Sequence, residues 1–184
     1  MGLTPQYIEK NMAKEMISQE GLGTTVLEEN KKDISALAGK YLTFKLGKEG
    51  YGIEILKVRE IIGLMEITKV PNMPSYVLGV INLRGKIHPV VDLHAKFDMG
   101  STEETNETCI IVVDVSHEGK PIMVGILVDS VSEVLDISAN EIEETPQFNI
   151  SLDSQYIMGI ANVKNEIKIL MDIDQVLSDG IEIM

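Results

Sequence analysis

Acidic side chains near the end of the chain have the chemistry of a calcium site but not its spacing. Asp172, Asp174 and Asp179 lie close together in the sequence, and carboxylate oxygens are the ligands that calcium prefers. An EF-hand loop needs an oxygen ligand at its fifth position and glycine at its sixth, where this chain has Val176 and Leu177. We therefore interpret Asp172 or Asp174 as a helix cap and predict no metal site.

The histidines and the cysteine also lack the spacing of a catalytic centre. His88, His94 and His117 have no partner at zinc-ligand spacing. Cys109 lies in an apolar run that predicts a buried strand, where a thiol acts as a small hydrophobic side chain. The sequence has no Gly-x-Ser-x-Gly motif and no glycine-rich phosphate loop, so it predicts no catalytic residue and no cofactor.

Two other functions stay open on the residues alone. Asp114 follows a buried-strand run like the phosphoacceptor of a receiver domain, but a receiver needs helices alternating with parallel strands. An enzyme or small-ligand protein could use a crevice between two β-domains, but it would need several convergent polar side chains. We find a solvated strand end the better interpretation of Asp114, and a binding surface the better interpretation of the crevice.

The residues suited to binding a partner lie around a polar turn between two apolar runs. This pattern predicts a β-hairpin in which Asn82 and Gly85 support the turn, with Gly85 at positive φ. Arg84 would then be held at the tip, where its guanidinium can meet a carboxylate or carbonyl of a partner. Glu60 is a second candidate for a charge at the rim of a binding site.

Apolar candidates lie around the bend between two predicted strands. Ile55, Val58 and Ile61 are three residues apart, and for each one alone the core of a barrel is the safer interpretation. Together they lie where two halves of the molecule must meet, and a crevice there would suit an apolar helix of a partner.

The elements that position these residues occur twice. Residues 79–93 align without a gap with residues 159–173, and residues 52–61 match residues 125–134. Each copy contains five short apolar runs, and five short twisted strands tend to close into a small barrel. A copy of about 65 residues is small for a core of its own. The sequence therefore predicts a mainly β protein with two five-stranded SH3-like barrels on a shared core and a few short helices.

The predicted domain boundaries follow from the repeat. The first barrel is expected at about 40–97, the second at about 108–172, and the whole domain at 40–178. Residues 1–39 are expected to form a partly helical or disordered extension, because their apolar stripe is interrupted by glycines.

Charge and composition exclude several classes of partner. The net charge of −13 disfavours nucleic acid and anionic membrane surfaces, both of which reward clustered lysine and arginine. No apolar stretch approaches the ~20 residues of a membrane span, and no secretory signal is present. A single cysteine fits a reducing compartment, so the expected location is cytoplasmic.

Four segments, in order, resemble the CheW-type chemotaxis coupling proteins: residues 51–61, 79–85, 89–93 and 125–129. The resemblance extends over roughly residues 40–178. It implies two five-stranded barrels around a shared core and no enzymatic activity.

The resemblance also implies partners and site residues. The protein would link the cytoplasmic tip of methyl-accepting chemoreceptors to the histidine kinase CheA, and would be cytoplasmic, recruited to receptor arrays and monomeric when free. The receptor's helical hairpin would lie in a groove between the barrels, and Glu60 and Arg84 match polar positions used in coupling. The regulatory domain of the kinase would pair barrel to barrel, chiefly with the second copy. Positions matching the receptor groove are Leu42, Ile55, Val58, Ile61 and Val131.

Overall fold

The computed structural model describes residues 33–145 and 154–178, and β-strands dominate this part of the chain. The predictions for residues 1–32 and for Asp179 lie outside the described residues. The strands are β1 (Gly39–Leu46), β2 (Glu49–Glu54), β3 (Val58–Gly63), β4 (Val77–Leu83), β5 (Lys86–Asp92), β6 (Cys109–His117), β7 (Lys120–Val128), β8 (Ser130–Ile137), β9 (Ile142–Glu143), β10 (Ile157–Val163) and β11 (Glu166–Met171). The helices are α1 (Leu93–Lys96) and α2 (Ile173–Ser178), with 3-10 turns at Ile34–Leu37, Ile55–Lys57, Ala139–Glu141 and Ser154–Tyr156.

The strands form two sheets, which confirms the predicted mainly β class. One sheet has six strands in the order β8-β1-β2-β11-β10-β9, and the other has five in the order β3-β6-β7-β5-β4. Apart from β9, the two sheets have matching orders, and each has one parallel pair at the equivalent place, β11 with β2 and β5 with β7. The repeat in the sequence is therefore a repeat of sheet topology.

Each sheet takes strands from both halves of the chain. The β1–β2 hairpin of the first half pairs with β8 and β11 of the second, while β6 and β7 of the second half pair with β3 and β5 of the first. The turn Ile55–Lys57 follows β2, and the chain then enters the other sheet at β3. The ranges of about 40–97 and about 108–172 thus delimit the sequence repeats, but the sheets do not follow them.

An apolar cluster lies between the two sheets and contains residues of both. We call it the shared cluster. Its buried members are Leu42, Phe44, Leu46, Tyr51, Ile53, Val77, Val91, Leu93, Phe97, Ile111, Val113, Val115, Val124, Ile126, Val128, Met171, Ile173, Val176 and Leu177. Because neither half buries this cluster alone, the two halves share one core.

Each sheet also has a smaller cluster on its other face. In the five-stranded sheet this is the inner cluster, formed by Ile81, Val90, Ile110, Val112 and Leu127. Within the described residues, no helix is long and apolar enough to cross a bilayer.

An aspartate caps each of the two short helices, and Asp172 is the cap that the sequence predicted. The backbone N–H of His94 donates to Oδ1 of Asp92 at 3.0 Å, at the start of α1. The backbone N–H of Gln175 donates to Oδ1 of Asp172 at 3.2 Å, at the start of α2. Both aspartates satisfy N–H groups that have no partner inside a helix, and the repeat is thereby reproduced in the caps.

The buried tyrosine Tyr41 connects β1 to the 3-10 turn Ile34–Leu37 that precedes it. The hydroxyl of Tyr41 donates to the carbonyl of Leu37 at 2.6 Å. Burial, and after it the charge of Glu54, raises the pKa of Tyr41 to about 12 from 10.0. Between these two pH values the tyrosine hydroxyl is protonated in the folded state and ionised in the unfolded state. The stability that the protonated Tyr41 contributes is therefore complete below pH 10 and is lost as pH rises towards 12.

We expect Tyr41→Phe to make the loss of stability at alkaline pH shallower. At neutral pH the variant should lose about 1 kcal/mol with the hydrogen bond. Urea unfolding at about pH 9 and about pH 11 measures the difference. Some slope should remain, because burial also raises the pKa of Tyr51. An unchanged slope would contradict the assignment to Tyr41.

Candidate interaction site

The apolar candidates on β3 face the shared cluster. Val58 lies opposite Val113 and Ile61 opposite Ile111, and both partners belong to the shared cluster. Residues three apart on a regular strand point to opposite faces, but the register shifts between Val58 and Glu60. This bulge turns Val58 and Ile61 to the same side of the strand.

The predicted apolar residues differ in how much a partner could touch. Leu42 is only 2% exposed, inside the shared cluster, so it can support a groove but cannot line its surface. Ile55, Val58 and Val131 are partly buried and pack against the cluster. Ile61 is 46% exposed. The structure thus brings four of the five onto one cluster, with Ile61 as the exposed end of the series.

The edge strands β3 and β8 meet at Cys109. This residue lies opposite Gly63 of β3, and its thiol hydrogen-bonds to the backbone of Val131 in β8. Burial raises the pKa of the Cys109 thiol, and the hydrogen bond to Val131 offsets part of that effect. Cys109 therefore lies where the edge strands of the two sheets approach each other, and its thiol is poorly ionised.

Val134 is an exposed apolar residue that our sequence reasoning missed. It is 48% exposed, close to the value for Ile61, and it lies opposite Leu42. The repeat contained the signal, because residues 58–61 align with residues 131–134 and this alignment matches Ile61 with Val134.

Arg84 and Glu60 form a bidentate ion pair. Nη1 and Nη2 of Arg84 donate to Oε1 and Oε2 of Glu60, each at 2.8 Å. Above all the hydrogen bond from Arg84, and then the charges of Arg84 and His88, hold the pKa of the Glu60 carboxyl below its usual value, against the opposing effect of burial. The guanidinium itself is mostly exposed, so it remains within reach of a partner.

The hairpin that carries Arg84 has the predicted turn. Arg84 has φ of +51° and Gly85 of +84°, and the backbone N–H of Gly85 donates to Oδ1 of Asn82 at 2.9 Å. Asn82 therefore closes the turn from within the hairpin, and the two positive φ values fit a tight hairpin turn. The ion pair joins this turn to β3, the opposite edge of the five-stranded sheet.

The polar and apolar candidates lie on different faces of β3. Glu60 lies opposite Val112, which belongs to the inner cluster, whereas Val58 and Ile61 face the shared cluster. One edge strand thus presents apolar groups on one side and a charged pair on the other. A partner lying along β3 could contact both.

The aspartates considered for other chemistry have structural partners. Asp114 is ion-paired with Arg59 and lies in β6, which is antiparallel to both of its neighbours, so the parallel sheet of a receiver is absent around it. Asp174 pairs with Lys57 and accepts a hydrogen bond from the backbone N–H of Ser116 at 2.8 Å. In the described part of the chain, no three His, Cys, Asp or Glu side chains are placed to hold a metal.

One polar contact could not have been found from spacing. Nε2 of His94 lies 2.9 Å from Oδ1 of Asp129, and the backbone N–H of Gly47 donates to Oδ2 of Asp129 at 2.6 Å. The three residues come from α1, the end of β7 and the β1–β2 turn, so only the fold brings them together. The contact ties the two sheets to each other.

A family model described as CheW-like domain matches residues 40–180. The chain is 39% identical to the chemotaxis protein CheW of Klebsiella aerogenes, over 79% of this chain and 88% of that protein. It is 36% identical to the chemotaxis protein CheW of Rhizobium meliloti, over 73% and 84%. The crystal structure of scaffolding protein TtCheW from Thermoanaerobacter tengcongensis matches with a TM-score of 0.66 and 34% identity, over 76% of this chain and 87% of that one.

Proposed function

The chain belongs to the CheW-like domain family, whose members are non-catalytic scaffold proteins of chemotaxis, and we propose that it couples chemoreceptors to the histidine kinase CheA. The observation that carries this proposal is the edge strand β3, which has apolar side chains on its shared-cluster face and the Glu60–Arg84 pair on its other face. It combines exposed apolar side chains with a charged pair on the same strand, as a docking surface for a partner requires.

The receptor is proposed to bind along β3 with the tip of its helical hairpin. An amphipathic helix presents an apolar stripe, and such a stripe fits a groove lined by apolar side chains. The apolar lining is supplied by Ile55, Val58, Ile61 and Val131. Leu42 supports it from inside the shared cluster. The contact would bury apolar surface that the free protein leaves exposed at Ile61.

Arg84 and Glu60 are proposed to set the orientation of the receptor. Charges at the rim of an interface contribute more to specificity and association rate than to affinity. Asn82 and Gly85 hold Arg84 at the tip of a short hairpin, so its position is fixed by the backbone. A rigid bidentate donor can select one arrangement of acidic groups on the partner.

The kinase is proposed to bind through its regulatory domain, chiefly on the second half of the repeat. Ile167, on the β10–β11 hairpin, is an exposed large apolar side chain and supports an apolar contact there. The protein would be monomeric when free, act in the cytoplasm and be recruited to receptor arrays. The net charge of −13 disfavours nucleic acid as a partner.

We expect Arg84→Glu to weaken receptor binding about tenfold while leaving the fold intact, because the change reverses a charge at the rim. Co-sedimentation with receptor cytoplasmic fragments, with and without CheA, measures binding and kinase activation. The matched control is Lys164→Glu, since Lys164 occupies the same turn position in the second hairpin with φ of +53°. The control should bind receptor normally. Unchanged binding and activation by Arg84→Glu would remove Arg84 from the site.

A further inference from the structure

His88 is a buried polar residue whose ring nitrogen Nε2 lacks a hydrogen-bond partner. The side chain is 8% exposed. Among the buried side-chain nitrogen and oxygen atoms of the described residues, Nε2 of His88 is the one without a hydrogen-bond partner. The residue lies on β5 opposite Ile81, a member of the inner cluster. Buried polar groups are nearly always hydrogen-bonded, and leaving one unpaired costs free energy. An unpaired imidazole nitrogen at this place therefore requires a reason.

A candidate partner is the carboxylate of Glu60. Glu60 lies opposite Val112, so its side chain leaves β3 on the side of the inner cluster, the same side on which His88 is buried. The charge of His88 contributes to the lowered pKa of Glu60, so the ring and the carboxylate are within electrostatic range. Arg84 currently occupies both carboxylate oxygens.

The second half of the chain shows how the equivalent position is satisfied. His88 aligns with Lys168, which is also 8% exposed. Nζ of Lys168 donates to Oε2 of Glu166 at 2.9 Å. Both hairpins thus bury a basic side chain at the same place, and the one in the second half has a carboxylate partner.

We propose that Glu60 serves two basic side chains in turn, Arg84 in the free protein and His88 when an acidic group of a partner takes Arg84. In the second state the carboxylate turns inward and accepts a hydrogen bond from Nε2–H of His88. Arg84 is then free for the partner, and the negative charge of Glu60 is withdrawn from an acidic surface that it would otherwise repel. The exchange also removes the unpaired nitrogen, which offsets part of the cost of releasing Arg84.

The identity of the trigger rests on the proposed function, but the exchange itself can be tested on the free protein. Long-range ¹⁵N–¹H spectra of the histidine rings report the tautomer and the hydrogen bonding of each ring nitrogen. The chain has 3 histidines, and loss of one signal set in His88→Leu identifies His88. In Arg84→Ala we expect the Nε2–H proton of His88 to shift downfield and exchange slowly. In Arg84→Ala combined with Glu60→Ala, that proton should return to its unbonded position.

Lys164→Ala provides the matched control, because it removes the basic group at the other hairpin tip and should leave the His88 signals unchanged. His88 signals in Arg84→Ala identical to those of the wild type would overturn the proposal. So would a shift that persists after Glu60→Ala. A receptor fragment added to the wild type should reproduce the shift seen in Arg84→Ala. If the exchange occurs in Arg84→Ala but receptor fragments do not bind, the exchange stands and the proposed receptor contact is wrong.

Discussion

Gly79→Ala is expected to lower the free energy of unfolding by about 3 kcal/mol, from steric overlap and backbone strain together. Gly79 has φ of +145°, a conformation that L-residues rarely adopt. A Cβ at this position would lie 2.1 Å from the carbonyl oxygen of Thr68. That oxygen belongs to the backbone, so it cannot rotate away as the end of a side chain could.

The damage should spread because Thr68 holds the connection between β3 and β4. Thr68 and Val80 exchange two backbone hydrogen bonds, each of 2.9 Å. These bonds cover the outer edge of β4, and an exposed strand edge is a site for unwanted pairing. The methyl group of an alanine at position 79 would push the Thr68 backbone away from this edge. Both hydrogen bonds between Thr68 and Val80 would then be lost.

Urea unfolding followed by circular dichroism measures the effect. Gly63→Ala is the matched control, since Gly63 ends β3 and its Cβ would have no atom within 4 Å; it should change stability by less than about 0.5 kcal/mol. Gly159→Ala should lie between them, because the closest atom there is a methyl group of Ile142 at 3.0 Å, which can move. Equal losses for Gly79→Ala and Gly63→Ala would contradict this account.

Local patterns in the sequence were sufficient to locate the strands. A polar, glycine-containing turn between two apolar runs predicted the β4–β5 hairpin, and the repeat predicted the β10–β11 hairpin. β9 was missed, because a strand of two residues is too short for any periodicity. Within each copy of the repeat, the signals that succeeded act over a few neighbouring residues.

Those local signals did not predict which strands of one half pair with strands of the other. Both copies have the same apolar pattern, so β1 and β2 bury the same faces whether they pair with their own half or with the other. Which sheet a hairpin joins depends on where the chain crosses, here at the turn Ile55–Lys57. Sequence periodicity says which face of a strand is apolar, but it does not identify the strand's neighbour.

The candidate site could be predicted only in part, because it also depends on how the strands pair. Their spacing around the bend and the family resemblance both proposed Val58 and Ile61 together, whereas strict alternation along β3 would separate them. The bulge between Val58 and Glu60 resolves this, and an equivalent irregularity occurs where β1 meets β8, between Leu42 and Phe44. A bulge inserts one residue without a clear mark in the sequence. The position of His88 and Glu60 on the same face of the sheet could likewise not be predicted before the strands were placed.

Ile61→Asp is expected to weaken receptor binding at least about tenfold while changing the free energy of unfolding by less than about 1 kcal/mol. Ile61 is about half exposed at the edge of the shared cluster. An aspartate there remains solvated in the free protein, so the fold tolerates it. Under a bound apolar helix the carboxylate would lose that water without gaining a partner, and this desolvation is costly.

Comparison with Val58→Asp separates binding from folding. Val58 packs against the shared cluster, so an aspartate there should lower both stability and receptor binding, and loss of binding by this variant alone would say little about the groove. Ile167→Asp is the control for exposed isoleucines, since Ile167 is also exposed but lies on the other hairpin; it should bind receptor fragments normally. Binding by Ile61→Asp at wild-type strength would exclude β3 from the receptor contact. An equal loss for Ile167→Asp would show that the receptor responds to surface charge in general, because the two positions share exposure and residue type but not the edge strand.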